Sequence, residues 1–279
     1  MALWLELQGA VNVRDVGGLP KVDGRTTRSG VLLRSDNLQD LTEDDIAQLL
    51  EQRGLKTVID LRSAGELHLT GPGPLKASHI QDVQHVHLSL IPEWDGEPDQ
   101  AEVDRALDDI AQQAAQQAAL PSLPDRSRPT DPTDLAGHYT GYVERAGANI
   151  ATALKVLADP ASGTSLVHCA AGKDRTGVVI ALALSLVGVT RAAVVADYVR
   201  SAERAEAILA RLAATAAYGP GLVGVTAVQT APVASSMEGF LDAVDREYGG
   251  PHGLAMSLGV DEETVARLAA RLVGTSRGR

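Results

Sequence analysis

Between residues 164 and 187 the chain changes character three times. Thr164-Ser165-Leu166-Val167-His168 is a short run of strand type. Cys169-Ala170-Ala171-Gly172-Lys173-Asp174-Arg175 is small and charged, and from Thr176 to Val187 the residues are almost wholly apolar. A helix that is apolar all round must lie in the middle of a protein. A strand feeding such a helix through a short turn is a unit of an α/β sheet. The turn therefore sits at the carboxyl end of a central strand, where open α/β sheets place their ligands.

That turn carries the only cysteine of the 279-residue chain. A thiolate is the nucleophilic form of cysteine and needs positive charge or a helix N-terminus nearby. The segment offers both. Backbone N–H groups of a loop entering a helix favour an anion. Arg175 adds a planar fork that matches phosphate oxygens. The same donors suit a thiolate, a phosphate dianion and the transition state of its transfer. A structural reading, a buried inert cysteine, competes with this one. Cysteine followed six positions later by arginine is moderate support, whereas the full string His-Cys-x-x-Gly-Lys-Asp-Arg-Thr-Gly between strand and helix is specific.

Taken in order, the chain predicts a strand over residues 3 to 7. A polar, glycine-rich segment follows from Asn12 to Leu19, either a surface turn or a loop near the anion site that Arg14 helps to order. Val31 to Ser35 is a second strand. Thr42 caps a helix that Gly54 ends. Lys56 to Leu61 is a buried-type strand delivering Asp60 and Arg62 at its carboxyl end, which makes Asp60 either a site carboxylate or a structural partner of Arg62. His85 to Leu90 reads as a strand, Pro92 to Asp99 as a loop, Ala101 to Ala119 as a helix and Pro121 to Pro132 as a linker or flap. Ala136 to Ala158 is a helix in which Tyr139 and Tyr142 read as packing residues. Thr190 caps another helix. Residues 203 to 236 read as a lid, followed by amphipathic helices over Glu238 to Tyr248 and Glu262 to Val273, the second capped by Asp261.

The formal net charge of −11 argues against nucleic acid as the main partner and makes Lys173 and Arg175 a local exception, as an anionic ligand requires. One cysteine excludes an internal disulfide framework. No apolar run is long enough to span a bilayer, and no basic-then-apolar leader opens the sequence. Transient contact with a membrane surface stays open. The expected location is cytoplasmic, or exported without an N-terminal leader of the usual kind.

The string His168-Cys169-x-x-Gly172-Lys173-Asp174-Arg175-Thr176-Gly177 resembles the cysteine-dependent protein tyrosine phosphatase superfamily. The match is nearest to the bacterial tyrosine/lipid phosphatases of the secreted tyrosine phosphatase B type. Asn12-x-Arg14-Asp15-x-Gly17-Gly18, Arg34-Ser35, Asp60-Leu61-Arg62-Ser63 with Glu66, and Ala196-Asp197-Tyr198 stand in similar order, so the resemblance spans nearly the whole chain. It implies a single α/β phosphatase domain over residues 1–279: a mostly parallel sheet flanked by helices, a lid, and C-terminal helices packed on it.

The resemblance also implies roles. Cys169 attacks phosphorus to form a cysteinyl-phosphate that water hydrolyses. The amides of Ala170, Ala171, Gly172, Lys173, Asp174 and Arg175, with the Arg175 side chain, hold the phosphoryl oxygens. Thr176 eases departure of the thiolate, and His168 orients the loop and helps keep the thiol ionised. No metal or cofactor is required. Many relatives carry the general acid on a Trp-Pro-Asp loop, which has no clean copy here; Asp60 is the first candidate and Asp174 the second. Lys173 suits a substrate with extra negative charge, a phosphoinositide as well as phosphotyrosine protein, unless it is simply solvent-exposed. Two other readings compete: a catalytically silent phosphate-binding module, and another thiolate enzyme such as a sulfurtransferase.

Overall fold

The computed structural model describes residues 3–77, 82–91 and 132–273. The expected loop over Pro92 to Asp99, helix over Ala101 to Ala119 and linker over Pro121 to Pro132 lie outside the described residues, except for Pro132.

Six strands form one mixed sheet: β1 (Leu3–Trp4), β2 (Arg14–Asp15), β3 (Leu32–Ser35), β4 (Leu55–Asp60), β5 (Gln84–His87) and β6 (Thr164–His168), in the order β1-β2-β3-β6-β4-β5. The four from β3 to β5 are parallel, and β1 and β2 add an antiparallel edge. The fold class expected from the sequence is thus the one found. Strand lengths differ: the first strand ends at Trp4, and the fifth at His87 instead of Leu90.

Successive side chains of a strand point to opposite faces, and two cores result. Leu32, Ile59 and Val167 face one; Leu33, Val58 and Leu166 face the other. The larger core is filled by α4 (Pro132–Ala158), α5 (Asp174–Leu186), α9 (Ala234–Tyr248), α10 (Pro251–Ser257) and α11 (Glu262–Leu272). The smaller lies under α1 (Glu43–Ala47), continued by a wider turn over Gln48–Gln52, and α3 (Pro74–Ala77). Every residue of α5 from Arg175 to Leu184 is buried, as its lack of a polar face requires. Thr42, Thr190 and Asp261 cap their helices as the residue types predict. Gly54 takes a φ of +64° after the first helix. Helix α10 had no clear sequence signal.

Register sets the site. His168 stands level with Ser35 on one side and Asp60 on the other. The chain leaving β6 therefore runs between the segments leaving β3 and β4. Four further α-helices lie among the described residues: α2 (Ala64–Thr70), α6 (Arg191–Val199), α7 (Ala205–Ala213) and a short α8 (Ala227–Thr230).

Candidate active site

The loop after β6 is held from outside by its carbonyls. Asn37 N–H donates to the Ala170 carbonyl at 2.9 Å. Asn12 Nδ2 donates to Ala171 at 2.9 Å and Gly172 at 3.3 Å, and Arg34 Nη2 donates to Gly172 at 2.7 Å. In a trans peptide the C=O and the next N–H point opposite ways. With the carbonyls of 170 to 172 turned outward, the amides of 171 to 173 face inward.

The outer clamp is itself locked. Arg14 donates to Asn12 at 2.6 Å and to Asp197 at 3.0 Å, and Arg34 pairs with Asp197 at 2.5 Å. All four side chains are buried. Burial opposes the Asp197 charge, but Arg14 and Arg34 hold its carboxyl below the usual range. The segment Asn12 to Leu19 is therefore a loop-ordering element. Gly172 has φ +66°, and a Cβ there would lie 2.3 Å from the Ser35 carbonyl oxygen, so no other residue fits this crossing.

Arg175 is aimed by Glu66. Its Nη1 and Nη2 reach the two carboxylate oxygens at 2.5 and 2.8 Å. Glu66 is wholly buried at the start of α2, where it completes a capping box with Ser63. Burial works against its charge; Arg175 outweighs that and keeps the carboxyl below its normal range. Tyr218 also donates to Glu66, at 2.5 Å. A guanidinium held on one edge by a bidentate partner keeps its remaining donors in a fixed direction.

A cavity of about 100 Å³ opens on these groups. Cys169, Ala170, Ala171, Lys173, Asp174 and Arg175 line it, with Glu66, Tyr142 and Tyr218. Its roof is apolar: Ile208, Leu209 and Leu212 of α7, and Leu222. These come from the stretch expected to be a lid. Ala217, Tyr218 and Leu222 are buried against Ala170, a role the composition of the stretch did not show. Arg211 anchors it to Asp36 at 3.3 Å and Asp40 at 3.0 Å.

The two candidate acids part company here. Asp60 grips Arg62 with both oxygens, the shortest contact being 2.6 Å, and lies 3.6 Å from His168 Nε2. It lines a different, smaller cavity with His85, His87 and Lys76. Burial opposes its charge, yet His168 and Arg62 hold its carboxyl far below the usual range. The structural reading of Asp60 is the one the geometry displays. Asp174, first residue of α5, lines the Cys169 cavity; it accepts from the Tyr139 hydroxyl at 2.5 Å and lies 3.6 Å from Lys173. Burial opposes its charge as well, and Lys173 and Tyr139 keep the carboxyl below normal.

His168 is buried, which pushes its pKa down to about 4 against the pull of Asp60. Its Nδ1 lies 3.4 Å from the Cys169 carbonyl oxygen, at the start of the loop. Lys173 is not the exposed cation of the simple alternative: it is buried and donates to the Thr230 carbonyl of α8 at 2.7 Å. The Thr176 hydroxyl is buried with no hydrogen-bond partner among the described residues. Glu66, as the partner of Arg175, and Tyr139 were the site residues that sequence reasoning missed. The resemblance had picked out Glu66 with the Asp60 to Ser63 segment, and its capping-box position after Ser63 was a second local signal, but neither pointed to Arg175.

A loop after a central parallel strand, with a buried arginine and cysteine facing one cavity, is the geometry on which the comparison with known proteins bears. The chain belongs to the tyrosine phosphatase family, which it matches over residues 5–274, and it is a phosphoric monoester hydrolase. It is similar to the triple specificity protein phosphatase PtpB of Mycobacterium tuberculosis, with 29% identity covering 96% of this chain and 99% of the relative. It is also similar to a tyrosine-protein phosphatase of Nostoc commune, at 27% identity over 86% of this chain and 73% of the relative. Its substrates are phosphorylated molecules. Among the described residues no helix is long and apolar enough to cross a membrane.

Proposed function

We propose that the chain hydrolyses phosphotyrosine in proteins, and phosphoinositides as well, through a phosphocysteine on Cys169. The observation that carries this is the shared cavity: Cys169, the inward amides of its loop and the Glu66-locked Arg175 all face one space. In the first step the Cys169 sulfur attacks phosphorus. The S–P bond forms as the ester P–O bond breaks, and Asp174 gives its proton to the leaving oxygen. In the second step water attacks phosphorus and Asp174 takes back a proton. The S–P bond breaks, inorganic phosphate leaves and the thiolate is restored. Loop amides and Arg175 hold the equatorial oxygens, where positioning and electrostatics supply most of the rate. The Thr176 hydroxyl, with no other partner, donates to the departing sulfur.

Asp174 is an acid in this scheme although its surroundings favour the carboxylate. A bound phosphoryl group adds negative charge beside it and works the other way, favouring the protonated form. The apolar roof from α7 suits an aromatic ring. Lys173 supports the wider substrate range: a second phosphate can take the place of the Thr230 carbonyl at its ammonium group. The name of the Mycobacterium relative, a triple specificity phosphatase, accords with breadth.

Cys169→Ser tests the mechanism. Turnover of an aryl phosphate should fall by at least ~10⁴-fold while inorganic phosphate still binds, since removing the nucleophile leaves the cradle intact. Retained turnover would exclude the phosphocysteine. A panel of phosphotyrosine peptides and phosphoinositides, run with wild type and Lys173→Met, tests the range. Loss confined to the phosphoinositides supports the role of Lys173; equal loss on both removes it.

A further inference from the structure

Asp174 does not stand alone in the cavity wall. Its Oδ1 accepts from the Tyr139 hydroxyl at 2.5 Å, and that hydroxyl lies 2.7 Å from the hydroxyl of Tyr198. A phenol has one proton to donate. Tyr139 gives its proton to the carboxylate, which only accepts, so the second contact must run from Tyr198 to Tyr139. The result is a one-way chain, Tyr198 to Tyr139 to Asp174.

The chain is dry and rigid. Tyr139 is 0% and Tyr198 2% exposed. The Tyr139 ring meets Tyr198 and Phe240 edge-on at 6.2 Å and stacks against Tyr142 at 6.1 Å, so the hydroxyl cannot swing aside. Gly177, one turn into α5, makes the approach of Tyr198 feasible: a Cβ there would lie 3.0 Å from the Tyr198 ring. A hydroxyl inside an apolar core without a partner is costly, and here each phenol finds its partner along this chain.

We propose that Tyr139 is a positioning residue for the reaction, holding the Asp174 carboxyl toward the leaving oxygen, with Tyr198 fixing the direction of the Tyr139 hydroxyl. This rests on the reading of Asp174 as the proton donor. The charged and titratable groups facing Asp174 are Lys173 and Arg175 beside it, Cys169 across the loop, His138, Tyr139 and Tyr142 from α4, and Tyr198 from α6. Tyr139 donates a hydrogen bond to Asp174 from the apolar core.

The sign of the effect follows. The Tyr139 hydroxyl favours ionised Asp174, and an acid is useful only when protonated. Tyr139→Phe should therefore move the alkaline decline of kcat/KM to higher pH, by about one unit for a lost bond to a charged group. It should also lower the plateau about tenfold, because the carboxyl is no longer held in place. Tyr198→Phe should move the limb the same way by less. A merely structural tyrosine would lower the plateau and leave the limb where it is.

The experiment is the pH profile of kcat/KM on an aryl phosphate for wild type, Tyr139→Phe, Tyr198→Phe and Asp174→Asn, with thermal melts of each. If Asp174→Asn abolishes the alkaline limb and both tyrosine variants leave it unmoved, the positioning role is overturned and the acid stands. If Asp174→Asn leaves the limb in place, the acid reading itself fails. Should Tyr139→Phe not fold, Tyr198→Phe alone decides, an unmoved limb overturning the proposal.

Discussion

Two carboxylates flank the same loop, one at each end, and their surroundings differ in kind. At the β6 end, Asp60 is bound by a buried arginine, with the His168 ring 3.6 Å away. At the α5 end, Asp174 faces the cavity, with a lysine and a phenol as partners. Both sit on motif segments, and both carboxyls lie below their normal range. The lesson is that a depressed carboxyl does not mark a reacting group. What separates the two is the direction each faces and whether its partner has another role. Asp60 turns both oxygens to Arg62, whereas Asp174 lines the Cys169 cavity with Tyr139 and Lys173 as partners.

The sharpest test of that contrast is paired substitution. Asp174→Asn should lower kcat on an aryl phosphate by ~10²–10⁴-fold, the range for a lost general acid, and flatten the alkaline limb. Asp60→Asn should keep the limb and instead destabilise the fold by about 3–5 kcal/mol, because buried Arg62 loses its counter-charge. Denaturant titration and the rate profile together decide; a flattened limb in Asp60→Asn would reverse the assignment.

A smaller effect sharpens the Asp60 side. His168 has its pKa lowered to about 4 in the folded protein from the usual 6.5, so the unfolded chain binds its proton first as pH falls. The stability that neutral His168 supplies is full above pH 6.5 and is lost as pH falls toward 4. Between pH 7 and 4.5 the loss from this group is roughly 2–3 kcal/mol. His85 and His138, also depressed chiefly by burial, add in the same sense. Urea titrations at the two pH values measure it, and His168→Gln should remove most of the slope.

The smallest effect concerns the cavity side. Tyr218→Phe removes the hydrogen bond from the segment after α7 to Glu66 and should cost about 1–3 kcal/mol locally. Amide exchange over residues 215 to 230 should quicken while the rest of the chain is unchanged. If exchange stays slow, Tyr218 does not hold this segment down.

Much of this was legible in the residues. The strand from Thr164 to His168, the buried helix after it and the caps at Thr42, Thr190 and Asp261 depend on contacts within a few positions, and such signals are written locally. Cys169, Arg175 and the loop between them belong to the same class, since neighbours in sequence supply them. The sequence by itself thus determined that the chain would place a thiol and an arginine on one short loop between a central strand and a buried helix.

Tertiary structure decided the partners. Glu66 reaches Arg175 across 109 positions, and Asp197 reaches Arg34 across 163. Tyr139 meets Asp174 across 35. No local rule pairs a charge with a distant one, because the choice depends on which groups burial leaves without water and which carboxylate lies within reach. That is why the sequence could put Asp60 before Asp174 but could not show which one faces the Cys169 cavity. Folding placed one against Arg62 and the other against the open cavity.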